Sequence, residues 1–298
     1  MNQFQSLTLA DRGLIESYLQ EYPPEVSDLS FTNLYLWHFS RTIRFCEIAG
    51  TLCIETTYPE QLPFVFFPIG GGDKLQAIEN LIVHYQSQNI PFCMHSLSEK
   101  DKVELETLMP ERFVFEHNRD RSDYIYETNS LIELRGRKFH KKKNHVNQFY
   151  ESYPDYRYET LTKSNQKELL ATWNCWFASL SSTQSLSNEH IGICNAITHF
   201  ADLSFTCGIV RVGSEIVAFS LGEALNKETA VIHIEKANIR YHGAYQVINQ
   251  LFLKHEWSGY QFVNREEDLG IEGLRKAKLS YQPYRILDKY EARLMKEG

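Results

Sequence analysis

Residues able to act on a reactive group are concentrated between Val231 and Tyr281. His233 and Glu235 alternate within Val231-Ile-His-Ile-Glu235, so a strand there places both on one face. A histidine beside a carboxylate can accept a proton from an attacking amine or hydroxyl. The same pair would also suit the solvent side of a half-buried strand. Gln261-Phe-Val-Asn264 then runs into Asn264-Arg-Glu-Glu-Asp268, a polar cluster at the carboxyl end of a short strand, where open α/β sheets place ligands. A third concentration is cationic. Arg135, Arg137, Lys138, Lys141, Lys142 and Lys143 accompany His140 and His145, with no acid from Leu134 to Tyr150. In a chain of net charge −7 this is enrichment against the overall sign. Cations gathered on one surface suit a polyanion: a tRNA acceptor stem, a phospholipid headgroup or a coenzyme phosphate.

Other chemistries lack their signatures. The chain has no G-x-S-x-G elbow, no H-E-x-x-H helix and no cysteine–histidine spacing for zinc, and His140 and His145 are poorly aligned on a helix, so no metal is expected. The six cysteines form no C-x-x-C pair, and Cys46, Cys53, Cys93 and Cys207 sit in apolar strand contexts, as small hydrophobes do. The longest apolar run, Leu62 to Ile69, is too short for a transmembrane segment, and the first residues show no signal-peptide pattern. A cytoplasmic location is the expectation.

The elements that must position these residues can be read from periodicity. After the Val231–Glu235 strand, Arg240-Tyr-His-Gly243-Ala244 opens a helix to Trp257, with Ala244, Val247, Ile248, Leu251 and Phe252 as its apolar stripe. A strand, a short helix and a last strand follow. The first half repeats this order: Phe64–Ile69 as strand, Gly70-Gly-Gly72 as turn, Asp73 as helix N-cap, then strand Pro91–Ser96, helix Ser98–Leu108 and strand Arg112–Glu116. Upstream, Val212-Gly-Ser-Glu215 reads as a hairpin turn. A helix should carry the basic run through Tyr150, anchored by Phe139, Val146, Phe149 and Tyr150. Two units are therefore expected, residues 1–128 and 129–298, each with a mixed, mostly antiparallel sheet of about six strands.

Three stretches carry a resemblance: Asn264 through Pro283, Leu134 through Phe149, and Phe31-Thr-Asn-Leu-Tyr-Leu-Trp37. They resemble the family related to the catalytic domain of phosphatidylglycerol lysyltransferases, whose tandem GNAT-type acyltransferase units are shared with Fem-type aminoacyl transferases. The resemblance implies an α+β fold of two such units. It also implies transfer of an aminoacyl group from aminoacyl-tRNA to an amine, a hydroxyl or a lipid headgroup, with backbone amides steadying the oxyanion. In that reading Glu235 is the base and His233 its competitor. Asn264, Arg265, Glu266 and Asp268 hold the amino-acid moiety, and Lys278 and Tyr281 sit by the leaving group, Tyr281 as proton donor. Arg137, Lys138, His140, Lys141, Lys142, Lys143 and Asn144 contact phosphates, with Arg240 and Gly243 at the turn before the helix. GNAT-type folds bind a coenzyme phosphate at such a turn through R/Q-x-x-G-x-G/A, and here Tyr245 replaces the last small residue. That departure favours tRNA over coenzyme A. A coenzyme A-dependent N-acyltransferase of a small amine, and a catalytically silent ligand- or nucleic-acid-binding protein, are the alternatives.

Overall fold

The computed structural model describes residues 3–180 and 183–295. The chain divides into two units: Met1–Asp123 together with Leu287–Gly298, and Tyr124–Ile286. In chain order the first unit contains β1 (Gln5–Ser6), α1 (Arg12–Glu21), α2 (Phe31–Trp37), β2 (Thr42–Ile48), β3 (Thr51–Thr57), β4 (Phe64–Val65), α3 (Lys74–Ser87), β5 (Cys93–Leu97), α4 (Glu99–Leu108) and β6 (Phe113–His117). The second follows with β7 (Asp123–Glu127), α5 (Thr128–Glu133), α6 (His140–Ser152), β8 (Arg157–Thr160), α7 (Gln166–Ala178), α8 (Gln184–Thr198), β9 (Thr206–Val212), β10 (Glu215–Ala224), β11 (Thr229–Ala237), α9 (Ala244–Glu256), β12 (Phe262–Asn264), α10 (Glu272–Leu279) and β13 (Arg285–Leu287). The last strand, β14 (Tyr290–Leu294), returns to the first unit.

Each unit holds a seven-stranded mixed sheet, ordered β1-β2-β3-β4-β5-β14-β6 and β13-β7-β12-β11-β10-β9-β8. Most pairs are antiparallel. Among the described residues β4 with β5 and β11 with β12 pair in parallel, where a helix connects the strands as parallel pairing requires. This is the expected pair of GNAT-type units, with flanking helices and a repeated element order. Local chemistry sets the boundaries. Asp73 caps α3 by accepting from the Gln76 amide at 2.9 Å, and Ser98 and Asp101 form a reciprocal capping box on α4. Gly213 takes φ 57° in the two-residue turn between β9 and β10. The glycine triplet before α3 serves close packing: a Cβ on Gly72 would lie 2.1 Å from the Ala49 carbonyl oxygen.

The expected long basic helix is instead two helices. Leu134 at φ 48° ends α5, and Gly136 at φ 87° redirects the chain into a 3₁₀ turn over Arg137–Phe139 before α6. Phe139, Val146 and Phe149 are buried, so the stripe that anchors this segment is present despite the break. The boundary also differs from the one expected at 128/129. β7 already pairs with β12, and β14 inserts between β5 and β6 rather than extending the second sheet. Alternation identifies a strand but not its partner.

The first unit packs Cys53, Val65, Ile78, Leu81, Met94, Leu105 and Ala292 into one core, and the second packs Tyr124, Phe149, Val217, Ile248, Phe252 and Val263 into another. Ala292 shows that β14 is a core strand of the first unit. Its entry is pinned by Lys289, whose side chain is 1% exposed and whose Nζ meets Asp28 and, at 2.7 Å, Asp123. Asp123 also accepts from the Ser27 amide at 2.8 Å. Removing one member of a buried ion cluster strands the rest without compensation. Lys289→Met is therefore expected to lower unfolding stability by about 3–5 kcal/mol, measured by denaturant titration at neutral pH. Neutralising Asp28 and Asp123 as well should recover most of the loss. A single-variant loss below about 1 kcal/mol would show that the cluster is not a pin.

Candidate functional site

The second unit's parallel step makes an opening. β11 and β12 pair only from Thr229–Val231 against Phe262–Asn264; β11 then continues to Ala237 while β12 stops. Beyond the last pair, Glu235 on β11 and Arg265 after β12 bridge the gap, Oε1 to Nη2 at 3.1 Å. Asn249 of α9 donates to the other Glu235 oxygen at 3.0 Å. The Arg265 guanidinium lies 4.8 Å from the Tyr281 ring centroid and 5.7 Å from that of Tyr126 on β7. On the same Tyr281 ring rests the Lys142 ammonium of α6, 4.2 Å from the centroid. Glu235, Arg265, Tyr281 and one lysine of the basic run, Lys142, are thus brought together. Burial pushes the Tyr281 hydroxyl well above the ordinary phenol range against the opposing pull of Arg265, so it stays protonated. Burial, and then Arg265, lower the Lys142 pKa. Arg265 keeps one buried nitrogen, Nη1, with no hydrogen-bond partner among the described residues, a donor suited to a carbonyl or carboxylate.

The rest of the polar cluster is used differently from expectation. His233 is buried between two carboxylates, Nε2 at 2.9 Å from Glu223 and Nδ1 at 2.8 Å from Glu266. Burial disfavours its charged form, but those two hydrogen bonds raise its pKa to about 9. Both of its ring nitrogens are thus engaged by carboxylates within the protein. Burial also raises the Glu266 pKa; with two acids facing one ring, the proton stays on the ring. Asp268 is fully buried and takes a two-pronged pair from Arg275, both arms at 2.8 Å, plus the Tyr124 hydroxyl and the Gly270 amide. Burial raises its pKa, yet these donors hold the carboxyl far below the usual range. Asn264 accepts from the Glu266 amide at 2.8 Å, and Lys278 caps the carbonyls of Arg265 and Glu266. Asn264, Glu266, Asp268 and Lys278 therefore shape the segment that presents Arg265.

Arg137, Lys138, His140, Lys141, Lys143 and Asn144 lie on the same segment, and Lys142 of this run turns toward Tyr281. Arg240 is exposed. Gly243, at φ 86°, has a steric reason: a Cβ there would lie 2.3 Å from the His145 carbonyl oxygen of α6. The turn before α9 is approached by α6, with the His145 and His242 rings 4.9 Å apart. Two participants escaped sequence reasoning, Tyr126 and Asn249. Asn249 had a signal, as a polar residue beside an apolar helical stripe. Tyr126 looked like any strand aromatic.

The His233 cluster fixes a pH dependence. Its pKa is about 9 in the folded protein against 6.5 for an unperturbed imidazole, so its stabilisation is complete below pH 6.5 and is lost as pH rises through 9. Unfolding free energy should fall between those limits in the wild type, and the His233-dependent part of that slope should vanish in His233→Gln. Equal slopes in the two proteins would refute a charged His233.

The family model for phosphatidylglycerol lysyltransferase, C-terminal, matches residues 19–293. A conserved protein of unknown function from Bacteroides thetaiotaomicron VPI-5482 is 39% identical, with TM-score 0.90 over 99% of this chain and 100% of that one. L-PGS from Bacillus licheniformis is 16% identical, with TM-score 0.65 over 97% of this chain and 93% of that one. FemX has the same fold at 7% identity, with TM-score 0.59 over 97% of this chain and 96% of that one. A family match over nearly the whole chain, on a tandem GNAT-type fold, places this protein in the family of the phosphatidylglycerol lysyltransferase C-terminal domain.

Proposed function

We propose that this protein is an aminoacyl transferase that moves an aminoacyl group from aminoacyl-tRNA to an amine or hydroxyl acceptor. The observation that carries the reading is the meeting of Glu235, Arg265 and Tyr281 at the parting of β11 and β12, with Lys142 of the basic segment on the same aromatic ring. The family description names a lysyltransferase, and lysyl transfer to a lipid headgroup is one member of the proposed class. No helix among the described residues is long and apolar enough to cross a membrane.

In this reading the acceptor attacks the ester carbonyl that joins the amino acid to the terminal ribose. Glu235 accepts the acceptor's proton, and Arg265 and Asn249 orient its carboxylate. Arg265 Nη1 and backbone amides at the opening oppose charge on the carbonyl oxygen. The carbon–oxygen bond to the ribose breaks, and Tyr281, kept a neutral phenol, supplies a proton to the departing oxygen. Arg137, Lys138, His140, Lys141, Lys143 and Asn144 hold the nucleic-acid phosphates. Coenzyme A is the less favoured donor: α6 crowds the turn at Gly243, and Tyr245 follows it.

The test is to mix the purified protein with tRNA charged with isotope-labelled amino acids and follow acceptor-dependent loss of the label. Glu235→Gln should lower kcat/KM by about 100-fold or more with unfolding behaviour unchanged. Failure of every charged tRNA to react, or full activity in that variant, would overturn the reading. Replacing Lys141 and Lys143 together by Glu should weaken tRNA binding and reduce the slope of log affinity against log salt by about two. An unchanged slope would remove the basic segment from the interface.

A further inference from the structure

The first unit holds a cluster that the transfer reaction does not use. Cys93 and His95 are two residues apart on β5, hence on one face of the sheet. β14 pairs with this strand, Tyr290 opposite Leu97 and Ala292 opposite Met94. Across that interval β5 carries one residue more, so His95 and Ser96 together face Glu291, and Ser96 takes a left-handed φ of 56°. Bulges of this kind re-aim side chains and gather beside functional sites. A non-glycine residue at such a φ is strained and is held there by its surroundings.

The outcome is convergence. The Cys93 sulfur, the His95 imidazole and the Glu291 carboxylate present ligand atoms all within 4.8 Å of one another. His95 Nε2 is 3.7 Å from Glu291 Oε2. The His95 ring lies flat on Phe64, centroids 4.0 Å apart and planes at 9°, while Asn118 donates to Glu291 Oε1 at 2.8 Å. Such outer partners orient metal ligands. His95 and Glu291 also line an open cavity of about 280 Å³.

We propose that Cys93, His95 and Glu291 bind a divalent transition ion of the zinc class, with a fourth coordination position open to the cavity. One thiolate, one imidazole and one carboxylate form a zinc ligand set, too soft for magnesium or calcium. Zinc at about 2.0–2.3 Å from each donor sets the donors about 3.5 Å apart, within reach of small side-chain rotations from the present spacing. The sequence reading found no metal spacing because the third ligand lies on the last strand, far from Cys93 along the chain. The Cys93 sulfur binds as a thiolate, so binding of the ion releases its proton to solvent. Arg293 competes with the ion. Its Nη2 lies 3.1 Å from Glu291 Oε2, but the side chain is 62% exposed and Glu116 stands 3.6 Å away as another partner. The neighbouring cations Arg121 and Lys289 are matched by Asp28 and Asp123.

The experiment titrates the full-length chain, stripped by chelator and dialysed, with cobalt(II) and then zinc(II). One equivalent of cobalt should bind with a thiolate-to-cobalt absorption band in the near ultraviolet, and zinc should displace it. Apparent affinity should rise about tenfold per pH unit near neutrality, the signature of one released thiol proton. Cys93→Ser should lose the band and weaken zinc more than about 100-fold. Arg293→Ala, which removes no ligand, should bind the ion more tightly. The proposal falls if neither the wild type nor Arg293→Ala takes up one equivalent, or if Cys93→Ser takes up cobalt with the same spectrum and affinity.

Discussion

The segment from Asn264 to Gly270 is the constraint on which the second unit's site rests. It contains two non-glycine residues in left-handed conformation, Glu266 at φ 56° and Leu269 at φ 54°. Such geometry persists only where the surroundings over-determine it. Here they do. His233, itself held by Glu223 on its other nitrogen, bonds the Glu266 side chain, Arg275 and Tyr124 clamp Asp268, and Lys278 holds the carbonyls of Arg265 and Glu266. β7 adds two backbone bonds, one from the Arg265 amide to Tyr124 and one from the Tyr124 amide to Glu266. His233, Asp268 and Arg265 each meet an opposite charge, and what the segment delivers is one guanidinium at a fixed place.

That guanidinium links two electrostatic environments. On one side it faces the Glu235 carboxylate, and on the other it lies over Tyr281, whose ring also faces Lys142. Two cations near one aromatic ring repel each other, which adds to burial in lowering the Lys142 pKa. An anion or a carbonyl oxygen entering between them would relieve the repulsion. The arrangement thus favours negative charge between the two cations.

Much of the fold was legible because it rests on local rules. The strand–turn–helix order from Val231, the Asp73 cap and the Gly213 hairpin all follow from short-range sequence chemistry. What could not be read is long-range pairing. The alternation of residues 290–294 announces a strand, but nothing in it states that the partners are β5 and β6. The site divides in the same way. Glu235, Arg265 and Tyr281 stand out by position and type. The inward pairings of His233, Glu266 and Asp268 do not, because a polar cluster reads the same whether its charges face a ligand or one another. The break at Leu134 was also hidden, since a leucine at φ 48° has no sequence signature.

The placement of β14 has a consequence for synthesis of the chain. β5 and β6 emerge from the ribosome with a strand-wide gap between them, and the residues that fill it come after the whole second unit. At about 5–20 residues per second, β14 follows β6 by roughly nine to thirty-five seconds. During that interval β5 has an unpaired edge and β6 has no strand partner, the condition most prone to pairing with a neighbouring chain. The second unit, lacking only its last edge strand, can close first. Vectorial translation therefore completes the molecule in reverse, with the amino-terminal unit finishing last, and ribosome-associated chaperones would find their substrate in the half of the protein that was made earliest.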